Sequence, residues 1–433
     1  MLMQQAEPKA LQRTHPLAYQ SVQLFCYLAL GIAMPTAIWL IGRAELIDAP
    51  YVVGTVTATT GAAVASWYVL SRLRQYAKAR RLSYVIPVNL LAFAAAAAVI
   101  GMLRSPYSIA LFGLCAGATL VTSYVLTAWT RLGNKAQYIV PGGRVTEMRP
   151  RPEHVAVASQ EEFEALIDSG NLNGSVVGDL HFDHHPEWER LFAKAALKGI
   201  PVYHYRQITE LETGQVRIDQ LSENVLGSLI PNLPYMAAKR LVDVLAVILL
   251  SPVLILLMLG IALVIKLDSR GPVLFVQERM GFRGEVFRMV KFRTMRERKV
   301  DDHVDAQRHD SMTKDDDDRI TRVGRFLRKV RLDELPQAWN VLKGDMSWIG
   351  PRPEALSLSE WYETEIPFYS YRHIVRPGLT GWAQVNQGHV TGVDTATDKL
   401  RYDFYYVKNI SLWLDLLITL KTLRVIAGGF GAR

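Results

Sequence analysis

Cysteine is nearly missing from this chain: 433 residues hold two, Cys26 and Cys115, each inside an apolar stretch with no His or Cys companion nearby. That excludes a disulfide framework and zinc-type ligand spacing, and leaves two buried thiols. A spaced glycine fingerprint is missing too. Gly142-Gly143 follows a strand-like run, but no third glycine opens a helix at the required offset, so the pair reads as an ordinary turn. No cleavable signal pattern is evident, because the polar start through Gln20 leads into a run long enough to span a bilayer without a small-residue cleavage site. Charged residues make up only 21% against 50% hydrophobic ones, and the mean hydropathy of +0.10 disfavours a purely soluble chain. The charge present is unbalanced, at +8 with a pI near 9.3. Beside long apolar runs, that excess suits phosphorylated substrates or anionic headgroups better than nucleic acid.

Four apolar runs open the chain, at about Val22 to Ile41, Tyr51 to Leu70, Ser83 to Leu103 and Tyr107 to Trp129, each near the ~20 residues a bilayer helix needs. Between the second and third lie Arg72, Arg74, Lys78, Arg80 and Arg81, whereas the other two connections carry Arg43 and Arg104 alone. The positive-inside rule then puts the second loop, the N-terminus and the segment after Trp129 in the cytoplasm. Gly61, Ala62, Ala63 and the run Ala92 to Ala98 allow close helix packing, and no intramembrane charge pair marks a transport path. Residues 1–133 are expected to form a four-helix anchor.

From 134 to 220 the composition turns polar. Short apolar runs (138–140, 155–157, 175–177 and 200–203) alternate with helical patterns such as 187–197, which predicts a small Rossmann-like α/β domain serving regulation or oligomerisation. His181-Phe182-Asp183-His184-His185 offers metal-ligand side chains, but without a companion carboxylate motif it is read as a solvated loop or helix cap. Residues 221–236 read as a linker.

A fifth run, Leu241 to Ile265, follows Lys239-Arg240 and contains Ser251-Pro252 at its midpoint. Crossing the bilayer would strand Lys266, Arg270, Arg279, Arg283, Arg288, Lys291, Arg293, Arg296, Arg298 and Lys299 outside, against the positive-inside rule. A re-entrant helix-break-helix over 239–266, turning at Ser251 and Pro252, removes that conflict. On physical grounds alone a proline-kinked full span stays open.

The chemistry concentrates at Arg331-Leu332-Asp333-Glu334-Leu335-Pro336-Gln337. Adjacent Asp333 and Glu334 suit a reaction in which one carboxylate attacks or holds a metal while its neighbour handles a proton, with Arg328, Arg331 and Arg352 near enough in sequence to neutralise phosphate. By itself such a pair is more often a solvated helix face. Asp301 to Arg319, with four consecutive aspartates, reads as a mobile acidic loop rather than a metal site. Near the C-terminus, Ser411, Asp415, Thr419 and Thr422 form a narrow polar stripe on an otherwise apolar helix, 410–426, suited to shallow burial at the interface or packing against the domain.

Taken together, Lys239-Arg240 with Ser251-Pro252, Lys291-Phe292-Arg293-Thr294-Met295, Leu332 to Gln337, Gly350-Pro351-Arg352-Pro353 and Arg376 to Val385 resemble the motif series of the monotopic phosphoglycosyl transferases, in their long polyprenyl-phosphate glycosylphosphotransferase form. Thr294 stands where many relatives have serine. The resemblance covers about 237–426 and implies a mainly α monotopic catalytic domain, 237–433, on the cytoplasmic face of the bacterial inner membrane. It implies transfer of a sugar-1-phosphate from a UDP-sugar to undecaprenyl phosphate, with release of UMP, as the first membrane step of a cell-surface glycan. On this resemblance Asp333 is the nucleophile and a ligand of Mg²⁺, and Glu334 assists the acceptor or orients the site. Lys291, Arg293, Arg328, Gln337, Arg352 and Arg376 bind substrate, membrane lipids surround the re-entrant helix, and the long form is a homodimer. The alternative at this stage is a membrane-anchored export or regulatory component in which the dyad is merely structural.

Overall fold

The computed structural model describes residues 16–73, 76, 81–132, 136–170, 172, 174–217, 231–296, 319–387 and 393–428. The acidic stretch 301–318 and the basic residues Arg74, Lys78 and Arg80 lie outside the described residues. The chain forms two compact units, residues 1–75 with 79–202 and residues 76–78 with 203–433.

In the first unit, α1 (Pro16–Leu28) runs through a π-turn into α2 (Met34–Leu40), followed by α3 (Pro50–Leu73), α4 (Val85–Leu103) and α5 (Ile109–Leu132). Four stretches here, Gln20–Leu40, Pro50–Leu73, Leu82–Leu103 and Ile109–Trp129, are long and apolar enough to cross a membrane, and they fall on the four sequence runs. Small side chains line their contacts. Thr55, Thr59, Ala62, Ala63 and Ser66 of α3 are buried, and a Cβ on Gly31 would meet the Thr119 hydroxyl at 2.8 Å. Thr55 donates to the Tyr51 carbonyl at 2.6 Å and Ser123 to that of Thr119 at 2.7 Å, so these two buried hydroxyls are satisfied within their own helices.

A sheet of order β2-β1-β3-β4 follows, with β1 (Ala136–Ile139) parallel to both β2 (His154–Ala156) and β3 (Gly174–Gly178) in this unit, and β4 (Val202–His204) at its boundary. Helices α6 (Gln160–Asp168) and α7 (Pro186–Leu197) cover it through Phe163, Ile167 and Leu191, packed on Val140 and Val176. A capping box starts α6: Ser159 accepts from Glu162 N–H at 3.2 Å, while the Glu162 carboxylate reaches back to Ala158 N–H at 3.0 Å. Gly142 and Gly143 take φ of +132° and +60°, and a Cβ there would strike His184 and Asp179. The crevice beyond β1 and β3 is thus filled by the chain's own side chains. His184 departs from the expected solvated loop: it is buried between Phe182 and Phe192, with Nε2 2.9 Å from the Asp179 carbonyl, because two aromatic rings bury it once the loop folds over the sheet end.

In the second unit, α8 (Tyr205–Thr213) precedes α9 (Leu233–Asp268), a helix of 36 residues and the fifth stretch apolar enough to cross a membrane. Next come the hairpin β5 (Leu274–Met280) and β6 (Val286–Phe292), then α10 (Arg322–Lys329), a 3-10 turn over Leu332–Gln337, and α11 (Ala338–Lys343). The parallel pair β7 (Ser347–Ile349) and β8 (Gly378–Thr380) brackets α12 (Leu356–Glu365) and a 3-10 turn at Tyr369–Ile374. Helices α13 (Trp382–Gln387), α14 (Val393–Asn409) and α15 (Leu412–Gly428) close the unit.

Two sequence expectations are narrowed here. At Ser251-Pro252 the chain stays helical, with no unwound residue between the two halves of α9. Proline removes the N–H that would serve the Ile248 carbonyl, and the Ser251 hydroxyl donates to that same oxygen at 2.7 Å, so the ladder is patched where it would have opened. Both halves of α9 pack on one body: Val247 meets Phe287, Met289, Val341 and Met346, while Ile261 and Ile265 meet Phe292 and Leu327. At the C-terminal stripe, of the two expected placements, the structure has α15 packed against the domain, with Asp415 buried and Thr419 exposed. Asp415 is buried and accepts from Tyr235 at 2.7 Å, Lys239 at 2.6 Å and Tyr406 at 2.8 Å, pinning α15 to the root of α9. A carboxylate with three donors can be buried at low cost, which a reading of one helix in isolation could not show.

Candidate active site

The dyad sits where α10 ends and the chain must turn sharply. Arg331 makes that turn with φ +60°, a conformation costly for a residue with a Cβ and found most often where function requires it. The 3-10 turn that follows places Asp333 and Glu334 against β6 and below Arg352.

The two carboxylates end in different environments. Glu334 is 8% exposed, and one of its oxygens accepts from Arg352 Nη2 at 2.9 Å and from Arg331 Nη1 at 3.4 Å. Burial works against its charge, but Arg352, by charge and hydrogen bond, and Arg331 outweigh it and hold the carboxyl below the usual range. Asp333 has no such lock: among the described residues its Oδ1 is buried with no hydrogen-bond partner. Burial and the neighbouring Glu334 charge push its pKa up to about 6, opposed by Lys291, Arg352 and Arg331. No third carboxylate, histidine or cysteine joins the pair among the described residues.

Lys291, on β6, is half-buried over the Phe275 ring at 5.1 Å. Burial, and then the charges of Arg279 and Arg352, bring its pKa down to about 8 against the pull of Asp333 and Glu334. Lys291, Arg352 and Arg331 are therefore the cations gathered on the dyad. Arg328 is half-buried in the last turn of α10, with Nη1 enclosed and unpartnered among the described residues, and Gln337 is 2% exposed within the turn itself. The other two expected contacts are engaged elsewhere. Arg293 donates through Nη2 to the Ser269 carbonyl at 2.9 Å and hydroxyl at 2.8 Å, tying β6 to the end of α9. Arg376 donates to the Gly344 carbonyl at 3.0 Å and lies 4.9 Å over Phe282, beside Arg240, which grips the Val341 and Leu342 carbonyls, so both arginines cap the C-terminal end of α11.

Behind Arg352 stands a buried ion network the sequence reading missed. Arg372 Nη2 donates to the Arg352 carbonyl at 2.8 Å, while its guanidinium pairs with Asp403 at 2.8 Å and donates to the Tyr369 hydroxyl at 2.6 Å. Glu354 pairs with Lys399, and these charges, against the cost of burial, hold its carboxyl far below the ordinary range. One signal was available: Asp403 is a lone acid in the aromatic run Tyr402 to Tyr406, where a carboxylate must find a partner or stay at the surface.

A carboxylate with a free oxygen, flanked by cations beside a locked neighbour, is equipped to attack or coordinate a phosphorylated group. The comparisons agree with that chemistry. The bacterial sugar transferase family model matches residues 234–429. The chain is 41% identical over 436 residues, 98% of its own length and 99% of the relative's, to the UDP-N-acetylgalactosamine-undecaprenyl-phosphate N-acetylgalactosaminephosphotransferase of Aeromonas hydrophila. Over 199 residues, 45% of this chain and 72% of the relative, it is 44% identical to the UDP-glucose:undecaprenyl-phosphate glucose-1-phosphate transferase of Caulobacter vibrioides. A protein of the same name from Xanthomonas campestris pv. campestris is 47% identical over 196 residues, 44% of this chain and 39% of that one. A likeness that runs the length of the chain, joined to a family match over the unit that carries the dyad, makes this protein a member of the bacterial sugar transferase family.

Proposed function

We propose that the protein transfers a sugar-1-phosphate from a UDP-sugar to undecaprenyl phosphate through a covalent intermediate on Asp333. The observation that carries this reading is the asymmetry of the dyad, with Glu334 locked by Arg352 and Asp333 holding an unpartnered oxygen. Asp333 attacks the sugar-bearing phosphorus, the bond to UMP breaks, and an oxygen of the lipid phosphate then displaces the carboxylate to give the lipid-linked diphosphate sugar. Lys291, Arg352 and Arg331 face the charge that develops on the transferred phosphoryl and on UMP, while Glu334 orients Arg352. The free oxygen of Asp333 suits a hard divalent cation bound otherwise by substrate phosphates and water, as Mg²⁺ prefers, and such an ion would neutralise the diphosphate when bound. N-Acetylgalactosamine is the first sugar to test, since the relative named for it matches both units.

For topology we infer four crossings by the first unit's helices, a Rossmann-like domain beside them, and a re-entrant α9 with the catalytic unit on the cytoplasmic side of the inner membrane. What supports re-entry is that residues on both sides of Pro252 pack on the same folded body, whereas Leu249, Val253 and Leu256, near the proline, are exposed. A helix pinned to one body along both arms cannot deliver its end to the far side of a bilayer. Exposed Phe326 and Trp339 flank the dyad and suit the interfacial layer, where a lipid phosphate meets a soluble nucleotide. The homodimer of the long form belongs to the same proposal; a monomeric mass in lipid nanodiscs would remove it.

The test is incubation of the full-length protein in nanodiscs with UDP-N-acetylgalactosamine or UDP-glucose, Mg²⁺ and undecaprenyl phosphate. UMP release is expected, and without acceptor the Asp333 peptide should gain the mass of a phosphosugar. If Asp333→Asn releases UMP at the wild-type rate, the nucleophile lies elsewhere.

A further inference from the structure

Building on the transferase reading, we propose that Arg279 is a positioning residue that sets the spacing between Lys291 and Arg352, the two cations flanking Asp333. Arg279 stands on β5 opposite Phe287, in the hairpin whose other strand carries Lys291 opposite Phe275. From there it crosses to the Arg352-Pro353-Glu354 segment. Its Nη1 donates to the Pro353 carbonyl at 3.0 Å, its backbone bridges Ala355, and the next residue, Met280, donates its N–H to the Glu354 carbonyl at 3.3 Å. Nη2 donates to Gln277 Oε1 at 2.7 Å, which fixes the plane of the guanidinium on its own strand.

Arg372 holds the Arg352 carbonyl from the other side at 2.8 Å. Consecutive carbonyls, 352 and 353, are thus gripped by arginines from two different elements, and the Arg352 side chain just before them reaches Glu334 at 2.9 Å. Of the two grips, the one by Arg279 comes from the strand pair bearing Lys291, where it reinforces the Met280 and Ala355 backbone links with a side-chain clamp. A planar fork with several donors can bind two acceptors in fixed directions, and a lysine ammonium cannot reproduce that geometry. Arg279 acts on Lys291 by charge as well, since after burial it is the largest influence keeping that ammonium easy to deprotonate.

Two substitutions separate geometry from charge. In full-length protein in nanodiscs, Arg279→Lys and Arg279→Gln should each lower kcat/KM for UMP release on the order of 10²-fold, the scale of a displacement of about 1 Å in a reacting constellation. Competitive acetylation across pH, read by mass spectrometry at the Lys291 peptide, should show Lys291 titrating near its wild-type value in Arg279→Lys. In Arg279→Gln it should titrate higher, because a like charge has gone. Wild-type kcat/KM in Arg279→Lys, or an unmoved Lys291 titration in Arg279→Gln, would overturn the proposal. So would loss of activity together with loss of cooperative thermal unfolding and an ordinary exposed-lysine titration, which marks a purely structural arginine. Should wild-type protein release no UMP from any UDP-sugar, the transferase reading fails, while the acetylation profile still decides whether Arg279 governs Lys291.

Discussion

Two charged clusters lie within one unit, and they solve opposite problems. Around Arg372, donors and acceptors are matched: Asp403 and Tyr369 take the guanidinium, Arg352 supplies a carbonyl, and Lys399 holds Glu354. Around Asp333 the matching stops short. Glu334 is locked, but Asp333 keeps an unpartnered oxygen and Lys291 leans on an aromatic ring. A buried charge with its partners supplied holds the chain in place, whereas one left short of partners has free energy to release when a substrate supplies them.

The sharpest way to break this comparison is to neutralise one acid in each cluster. Asp333→Asn should reduce UMP release by about 10⁴-fold or more, as expected for loss of a nucleophile. Its stability should move the other way. Because the folded-state pKa of Asp333 is raised to about 6, the fold favours the protonated carboxyl: that stability is full below the unfolded value of about 4, is lost as pH rises through 6, and stays lost above. An amide at that position should therefore stabilise the protein at pH 7 by about 1–3 kcal/mol in denaturant titrations. Asp403→Leu should do the reverse, costing about 3–5 kcal/mol by leaving Arg372 buried without its carboxylate, with a smaller loss of activity per folded molecule. Equal stability effects in the two variants would erase the distinction.

The pH profile sharpens the functional side. If Asp333 is the nucleophile as proposed, its ionisation above about pH 6 and the charge Lys291 keeps below about pH 8 should make kcat/KM for UMP release bell-shaped between those limits. In Lys291→Met the alkaline limb should move out of the neutral range; if it stays, another group sets it. The smallest effect expected is at α9, where Ser251→Ala removes the hydroxyl serving the Ile248 carbonyl and should cost about 1 kcal/mol.

Much of this was legible before folding. Five apolar stretches, a polar domain of alternating strands and helices, and an acid pair among arginines are local patterns, visible because bilayer thickness, strand period and charge act over a few residues. The site resolved less well. Lys291 and Arg352 were expected near the dyad and are there, while Arg293 and Arg376 carry equal charge in equally suggestive motifs and spend it on Ser269 and Gly344. Arg279 and Arg372 gave no local sign of their roles because their partners lie 74 and 20 residues away. The C-terminal stripe was visible, but its direction was not, since Tyr235 and Lys239, which satisfy Asp415, come from another helix.

By itself the sequence determined that the chain is membrane-associated, that its helices and strands fall roughly where they do, and that two carboxylates stand side by side among cations. Tertiary structure alone decided which carboxylate is locked and which keeps a free oxygen, and that both arms of α9, helical through its proline, pack on one body. The reason is physical: hydrophobic periodicity is set by a residue and its near neighbours, whereas the worth of a buried charge depends on partners that only folding brings within 3 Å.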